Sequence, residues 1–114
     1  MNYEQRDIIL VPFPFSDQRA YKKRPAVIIS NNKHHDRYGK YVCLAITSQE
    51  KKPDQNRYEY KLRNPLDAGL IYGDQWVLPN KIFTIEDKFI QRKLGSMKAI
   101  DFDQVVSLFY EIFI

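Results

Sequence analysis

The feature that most constrains this chain is that its apolar residues come in short runs, each cut off by proline or by a polar cluster. "DIILVPF", Asp7 to Phe13, is β-branched and aliphatic and is closed by Pro12 and Pro14, which cannot donate to a central ladder. "RPAVIIS" predicts a second strand beginning at Pro25, a position where the missing N–H does least harm. Asn31 to Lys40 reads as a polar connection. "YVCLAIT", Tyr41 to Thr47, is apolar on both faces and is expected to be a central strand. "RYEYKL", Arg57 to Leu62, alternates as a half-exposed strand does, and "QWVL" and "KIFTI" add two further short runs. Only the C-terminus has a helical period. Phe102, Val105, Val106, Phe109, Ile112 and Phe113 recur at spacings of three and four, and Asp101 with Gln104 predicts a capping-box variant at the start. The expected fold is mostly β with a C-terminal helix, a small and strongly curved antiparallel sheet or barrel.

A chain of 114 residues suits one domain, here 1–114, and carries no repeat or linker. No apolar run approaches the roughly 20 residues that span a bilayer. The first residues include Glu4, Arg6 and Asp7 and lack the basic-then-apolar pattern of a signal peptide. Cys43, the single cysteine, excludes an intramolecular disulfide and is expected to be a small buried side chain. These readings place the protein in the cytoplasm with no membrane partner. The net charge of +4 is unevenly spread. Residues 18–40 hold Arg19, Lys22, Lys23, Arg24, Lys33, Arg37 and Lys40 against Asp36 alone, an excess of six, and the rest is net acidic by two. Such a zone is either a solvated loop or the footprint of an anionic partner.

Several chemistries lose their usual supports. There is no phosphate-cradling glycine loop, no Cys/His cluster at metal spacing and no Gly-x-Ser-x-Gly elbow. His34 and His35 are adjacent, but neighbouring side chains usually diverge, and their polar surroundings favour a solvated pair over an acid–base pair. Arg24 stands where the charged loop meets an apolar strand, so a rigid element fixes its backbone while its guanidinium is available to a phosphate. Thr47 opens the polar "TSQ" at the end of another strand. If these two strands pair antiparallel, Arg24 and Thr47 converge; the plainer reading is a surface arginine and a β-branched strand residue.

"DIILVPFPFSD", "KKRPAVIIS" and "LAITSQ" resemble, in order and spacing, the three N-terminal blocks of the PemK/MazF family of toxin endoribonucleases from toxin–antitoxin systems. A weaker likeness runs through "YGDQWVLPNKIFTIEDKFIQRKLGSM" to the terminal helix. The resemblance implies a dimeric SH3-like barrel that cuts single-stranded RNA without metal or cofactor, leaving a 2′,3′-cyclic phosphate and a 5′-hydroxyl. It implies an acidic, partly disordered antitoxin as partner. Catalysis would fall on Arg24 and Thr47. RNA contacts would come from Phe13, from Ser16, Arg19, Lys22 and Lys23 in a mobile loop, and from Ser48 and Gln49. Where the family usually has Gly-Asp this chain has Arg6-Asp7, which puts the local geometry of the first strand's entry in question. Two other readings stay open on the residues. One is a non-catalytic nucleic-acid-binding barrel on which Phe13, Phe15, Tyr21 and Trp76 stack bases instead of filling the core. The other is a toxin of the same barrel class directed at a protein such as gyrase.

Overall fold

The computed structural model describes residues 3–12, 23–48, 59–70 and 73–114. Six strands appear in chain order: β1 (Asp7–Pro12), β2 (Lys23–Ile28), β3 (Lys40–Thr47), β4 (Tyr60–Lys61), β5 (Trp76–Glu86) and β6 (Arg92–Ser96). Helix α1 (Asn32–Tyr38) joins β2 to β3, and α2 (Ala99–Glu111) follows β6. The strands pair antiparallel in the order β4-β5-β3-β2-β1-β6. The result is a curled half-barrel with β3 near its middle, as its two-sided apolarity predicts.

Both faces of the central strands are buried, which is why their sequences read as near-continuous apolar runs. On one face Ile8, Val27, Leu44, Ile46 and Val77 meet Phe102 and Val105 of α2. On the other, Ile9, Val11, Ala26, Ile28, Tyr41 and Cys43 cluster with Ile85 and Ile90. Neighbouring residues within a strand, such as Ile8 and Ile9, thus serve opposite cores.

Several expectations are corrected. β2 starts at Lys23, ahead of Pro25, although its ladder with β3 runs only from Ala26 onward. "QWVL" and "KIFTI" are two halves of one strand, because β3's partner jumps from Ile82 opposite Leu44 to Leu78 opposite Ala45, leaving Pro79, Asn80 and Lys81 as a bulge in β5. Pro79 cannot donate to a ladder, so the interruption falls where the missing N–H does least damage. The strand expected over Arg57–Leu62 is ordered as β4 only at Tyr60–Lys61, and Arg57 and Tyr58 lie outside the described residues.

The polar connection after β2 is a helix. The Asn31 side chain accepts from the His34 N–H at 2.9 Å, and Gly39, at φ 70°, ends α1 with its N–H on the His35 carbonyl. At α2 the capping residue is Lys98, with no side-chain cap, and Asp101 lies inside the first turn. Asp101 is committed elsewhere: its Oδ1 accepts the Tyr60 hydroxyl at 2.6 Å, tying the helix to β4. Val106 and Phe109 pack on the core as their spacing predicts, but Phe113 is 63% exposed.

Arg6 takes φ 78°, the left-handed region that glycine enters freely. Three hydrogen bonds hold it there. Its N–H donates to Ile28 O at 2.8 Å, its carbonyl accepts from Met97 N at 2.8 Å, and its Nε donates to Met97 O at 2.9 Å. The next residue, Asp7, is buried and accepts from Glu4 N, Ser96 Oγ and Lys93 Nζ. The entry to β1 is therefore tied to the end of β2 by its backbone and to Met97, just past β6, by both its backbone and the side chain that replaces a hydrogen.

Candidate active site

The β2–β3 register places Ala26 opposite Ala45, Val27 opposite Leu44 and Ile28 opposite Cys43. Continued by two residues toward the start of β2 and the end of β3, the same register sets Arg24 opposite Thr47. Directly opposed residues on antiparallel strands have Cα atoms about 4.5–5.5 Å apart and side chains on one face. Arg24 also pairs with Val11 on β1, and Thr47 with Trp76 on β5, so each sits inside a ladder. The next pair along the same two strands, Ala26 and Ala45, is small and fully buried. Thr47 is only 8% exposed, while Arg24 is half-buried. The arrangement offers a cationic fork beside a hydroxyl, both mounted on strands, a geometry suited to a tetrahedral oxyanion.

The other candidates divide. Lys23 and Ser48 are exposed and next in sequence to Arg24 and Thr47. Phe13, Ser16, Arg19, Lys22 and Gln49 lie outside the described residues, as do Phe15 and Tyr21. Trp76 is 9% exposed and is a buried residue of the sheet, not an open stacking platform.

The histidines stand elsewhere. They are on α1, which packs beside the start of β3, and Thr47 ends that strand six residues beyond Tyr41, about 20 Å away at the usual strand rise. His35 stacks on Tyr41 at 4.3 Å, and its Nε2 lies 2.7 Å from Asp87 Oδ1. The Tyr41 hydroxyl donates to Asp87 Oδ2 at 3.0 Å. Burial alone would raise the Asp87 carboxyl, but the hydrogen bonds from His35 and Tyr41 outweigh it and hold the group below its ordinary range. Burial, with the Asp87 bond, raises the Tyr41 phenol. His34 is turned to the Lys40 carbonyl, 3.1 Å from Nδ1. This network fastens α1 to β3 and to the turn after β5; sequence spacing gave no sign of it because its members are far apart in the chain.

Burial pushes the Cys43 thiol up to about 12, which removes the thiolate a nucleophile needs. Among the described residues no group of three or more His, Cys, Asp or Glu side chains is placed to hold a metal ion.

A curled antiparallel half-barrel capped by one C-terminal helix puts the chain among the small barrel-like β proteins. It belongs to the family of PemK-like, MazF-like toxins of type II toxin–antitoxin systems, which it matches over residues 4–113. No curated relative matches the sequence. Solved structures share the fold at low identity. The MazE-MazF complex from Deinococcus radiodurans superimposes with a TM-score of 0.74 at 17% identity, covering 98% of this chain and 96% of that one. An endoribonuclease in complex with its cognate antitoxin, from a mycobacterial species, gives 0.71 at 13% identity with 96% and 92% covered. The Mycobacterium tuberculosis toxin MazF-mt6 gives 0.70 at 16% identity with 95% and 96% covered.

Proposed function

We propose that this protein is an endoribonuclease toxin that cuts single-stranded RNA by attack of a ribose 2′-hydroxyl on the adjacent phosphate. The reading is carried by one observation: the β2–β3 register that pairs Ala26 with Ala45, which, continued by two residues, brings Arg24 opposite Thr47. The 2′-oxygen forms a bond to phosphorus as its proton passes to solvent water, and the bond from phosphorus to the 5′-oxygen breaks as that oxygen takes a proton from solvent. The products are a 2′,3′-cyclic phosphate and a 5′-hydroxyl. Charge builds on the non-bridging oxygens, where fixed donors act most strongly. Arg24 supplies two N–H groups and Thr47 one O–H. The guanidinium stays charged at any working pH, so its part is to hold and neutralise the phosphate and to donate toward the leaving oxygen. No step requires a metal.

Membership of a toxin–antitoxin family, together with relatives solved bound to their antitoxins, supports a cognate antitoxin as partner. The basic excess in residues 18–40 suits an acidic segment of it. The working unit is a homodimer, in which that basic zone occurs twice, acting in the cytoplasm.

One experiment tests the chemistry. A single-stranded RNA is incubated in EDTA beside an oligomer carrying one 2′-deoxy residue immediately 5′ of the cut. The intact RNA is cleaved, the substituted one binds and stays whole, and Arg24→Ala and Thr47→Val each lower the rate about a hundredfold, as loss of one preorganised donor worth about 3 kcal/mol requires. Cleavage of the deoxy substrate, or a rate that EDTA abolishes and metal restores, overturns the reading.

A further inference from the structure

The row that contains Arg24 and Thr47 does not end at Thr47. Thr47 lies opposite Trp76 on β5, and Trp76 lies opposite Lys61 on β4. Direct opposition keeps side chains on one face, and the Lys61 Nζ stands 5.9 Å from the centre of the Trp76 ring. With the β2–β3 register continued from Ala26 opposite Ala45, Arg24, Thr47, Trp76 and Lys61 fall on one line across four strands, a cation at each end and a hydroxyl and an aromatic ring between. Three interstrand steps separate the two cations, about 14 Å.

From this line we infer that Lys61 is a second phosphate-binding residue of the groove, gripping the RNA strand away from the bond that is cut. The inference rests on the proposed function and adds a binding residue to the same site. With its backbone three strands from that of Arg24, Lys61 is placed to hold a different phosphate from the one that reacts, and it therefore acts on binding and not on the chemical step. Trp76 is its floor. Buried to nine-tenths, the ring has little face left for a base but holds the ammonium by its quadrupole. Asp74 Oδ2 stands 3.4 Å from the same ammonium, both side chains being more than half exposed. An ion pair in that much water is worth little, so a phosphate displaces it readily. Asp74 is a stand-in for the ligand and competes with it.

The test compares wild type with Lys61→Gln, Lys61→Arg and Asp74→Asn, reading affinity for an uncleavable 2′-deoxy-substituted oligomer between 50 and 200 mM salt, and cleavage kinetics. One phosphate contact on a single strand contributes about 0.7 to the salt slope. Lys61→Gln should therefore lose about two- to threefold less affinity than wild type across that range. Its KM should rise several-fold with kcat unchanged, and Lys61→Arg should restore both. Asp74→Asn should bind more tightly than wild type. If wild type cuts RNA while Lys61→Gln keeps the wild-type slope and KM, this inference alone falls. If wild type neither binds nor cuts RNA, the proposed function falls and takes this inference with it.

Discussion

Replacing Arg6 separates two opposing contributions at the entry to β1. A side chain at φ 78° costs about 1–2 kcal/mol relative to glycine. The bond from its cationic Nε to Met97 O, 2.9 Å long and half-buried, returns about 1 kcal/mol after allowance for solvent. Arg6→Ala keeps the strain and loses the bond, so it should be about 1 kcal/mol less stable than wild type, about 4 °C in Tm for a domain of this size. Arg6→Gly also loses the bond but sheds the strain, less about 0.7 kcal/mol for the freer unfolded chain. It should lie within about 0.5 kcal/mol of wild type and above the alanine variant. Urea denaturation of the three proteins, with thermal melts as a second measure, checks the ranking. An alanine variant as stable as the glycine variant would refute the strain; one as stable as wild type would refute the bond.

Other perturbations have equally definite outcomes. A Cβ on Gly95 would overlap the Ala68 carbonyl, where the turn at residues 65–68 lies against β6, so Gly95→Ala should cost about 2 kcal/mol or more in urea midpoint. Tyr60→Phe strips the buried Asp101 carboxylate of its 2.6 Å donor and leaves Arg63 Nε at 3.9 Å; a loss of about 2 kcal/mol by denaturant titration is expected. Asp87 titrates below its ordinary value of 3.8 in the folded protein, so its stabilising effect is fully present above that value and disappears as pH falls through the lower folded value. Asp87→Asn should therefore be less stable than wild type near pH 6, with the gap closing toward pH 2 in a pH series of urea midpoints. Cys43, buried and with its thiol pushed up to about 12, should resist a thiol reagent at pH 8 until the protein is unfolded.

What the sequence made legible was whatever depends on local pattern. β1, β3 and α2 follow from runs and periods that neighbouring residues carry by themselves. α1 escaped notice although its signals, Asn31 before and Gly39 after, were present, because seven polar residues give no apolar face to weigh against a loop. The capping role expected of Asp101 failed for the opposite reason: its partner, Tyr60, is forty-one residues away, and a distant hydroxyl outcompeted the local backbone. The bulge at Pro79–Lys81 hid the unity of β5. At the candidate site, the antiparallel pairing of β2 with β3 on which the Arg24–Thr47 proposal rests was legible because the two strands are consecutive, whereas Lys61 comes near Thr47 only through β5, whose pairing with both β3 and β4 no spacing announces.

The pairing of β1 with β6 joins Ile8 to Gly95, nearly the whole chain apart. As the polypeptide leaves the ribosome, β1 can be covered on one side early, by β2, but its other side waits for residues 92–96. Contacts of such long range come late, since the ends of a long loop must meet before any of their interactions count. The clamp from Arg6 to Met97 and the burial of Phe102 and Val105 wait for the same segment. A chain halted by premature termination before Arg92 therefore presents an unpaired, apolar strand edge, a template for aggregation. Translation must pass Ser96 before β1 gains its second neighbour and this half-barrel can close.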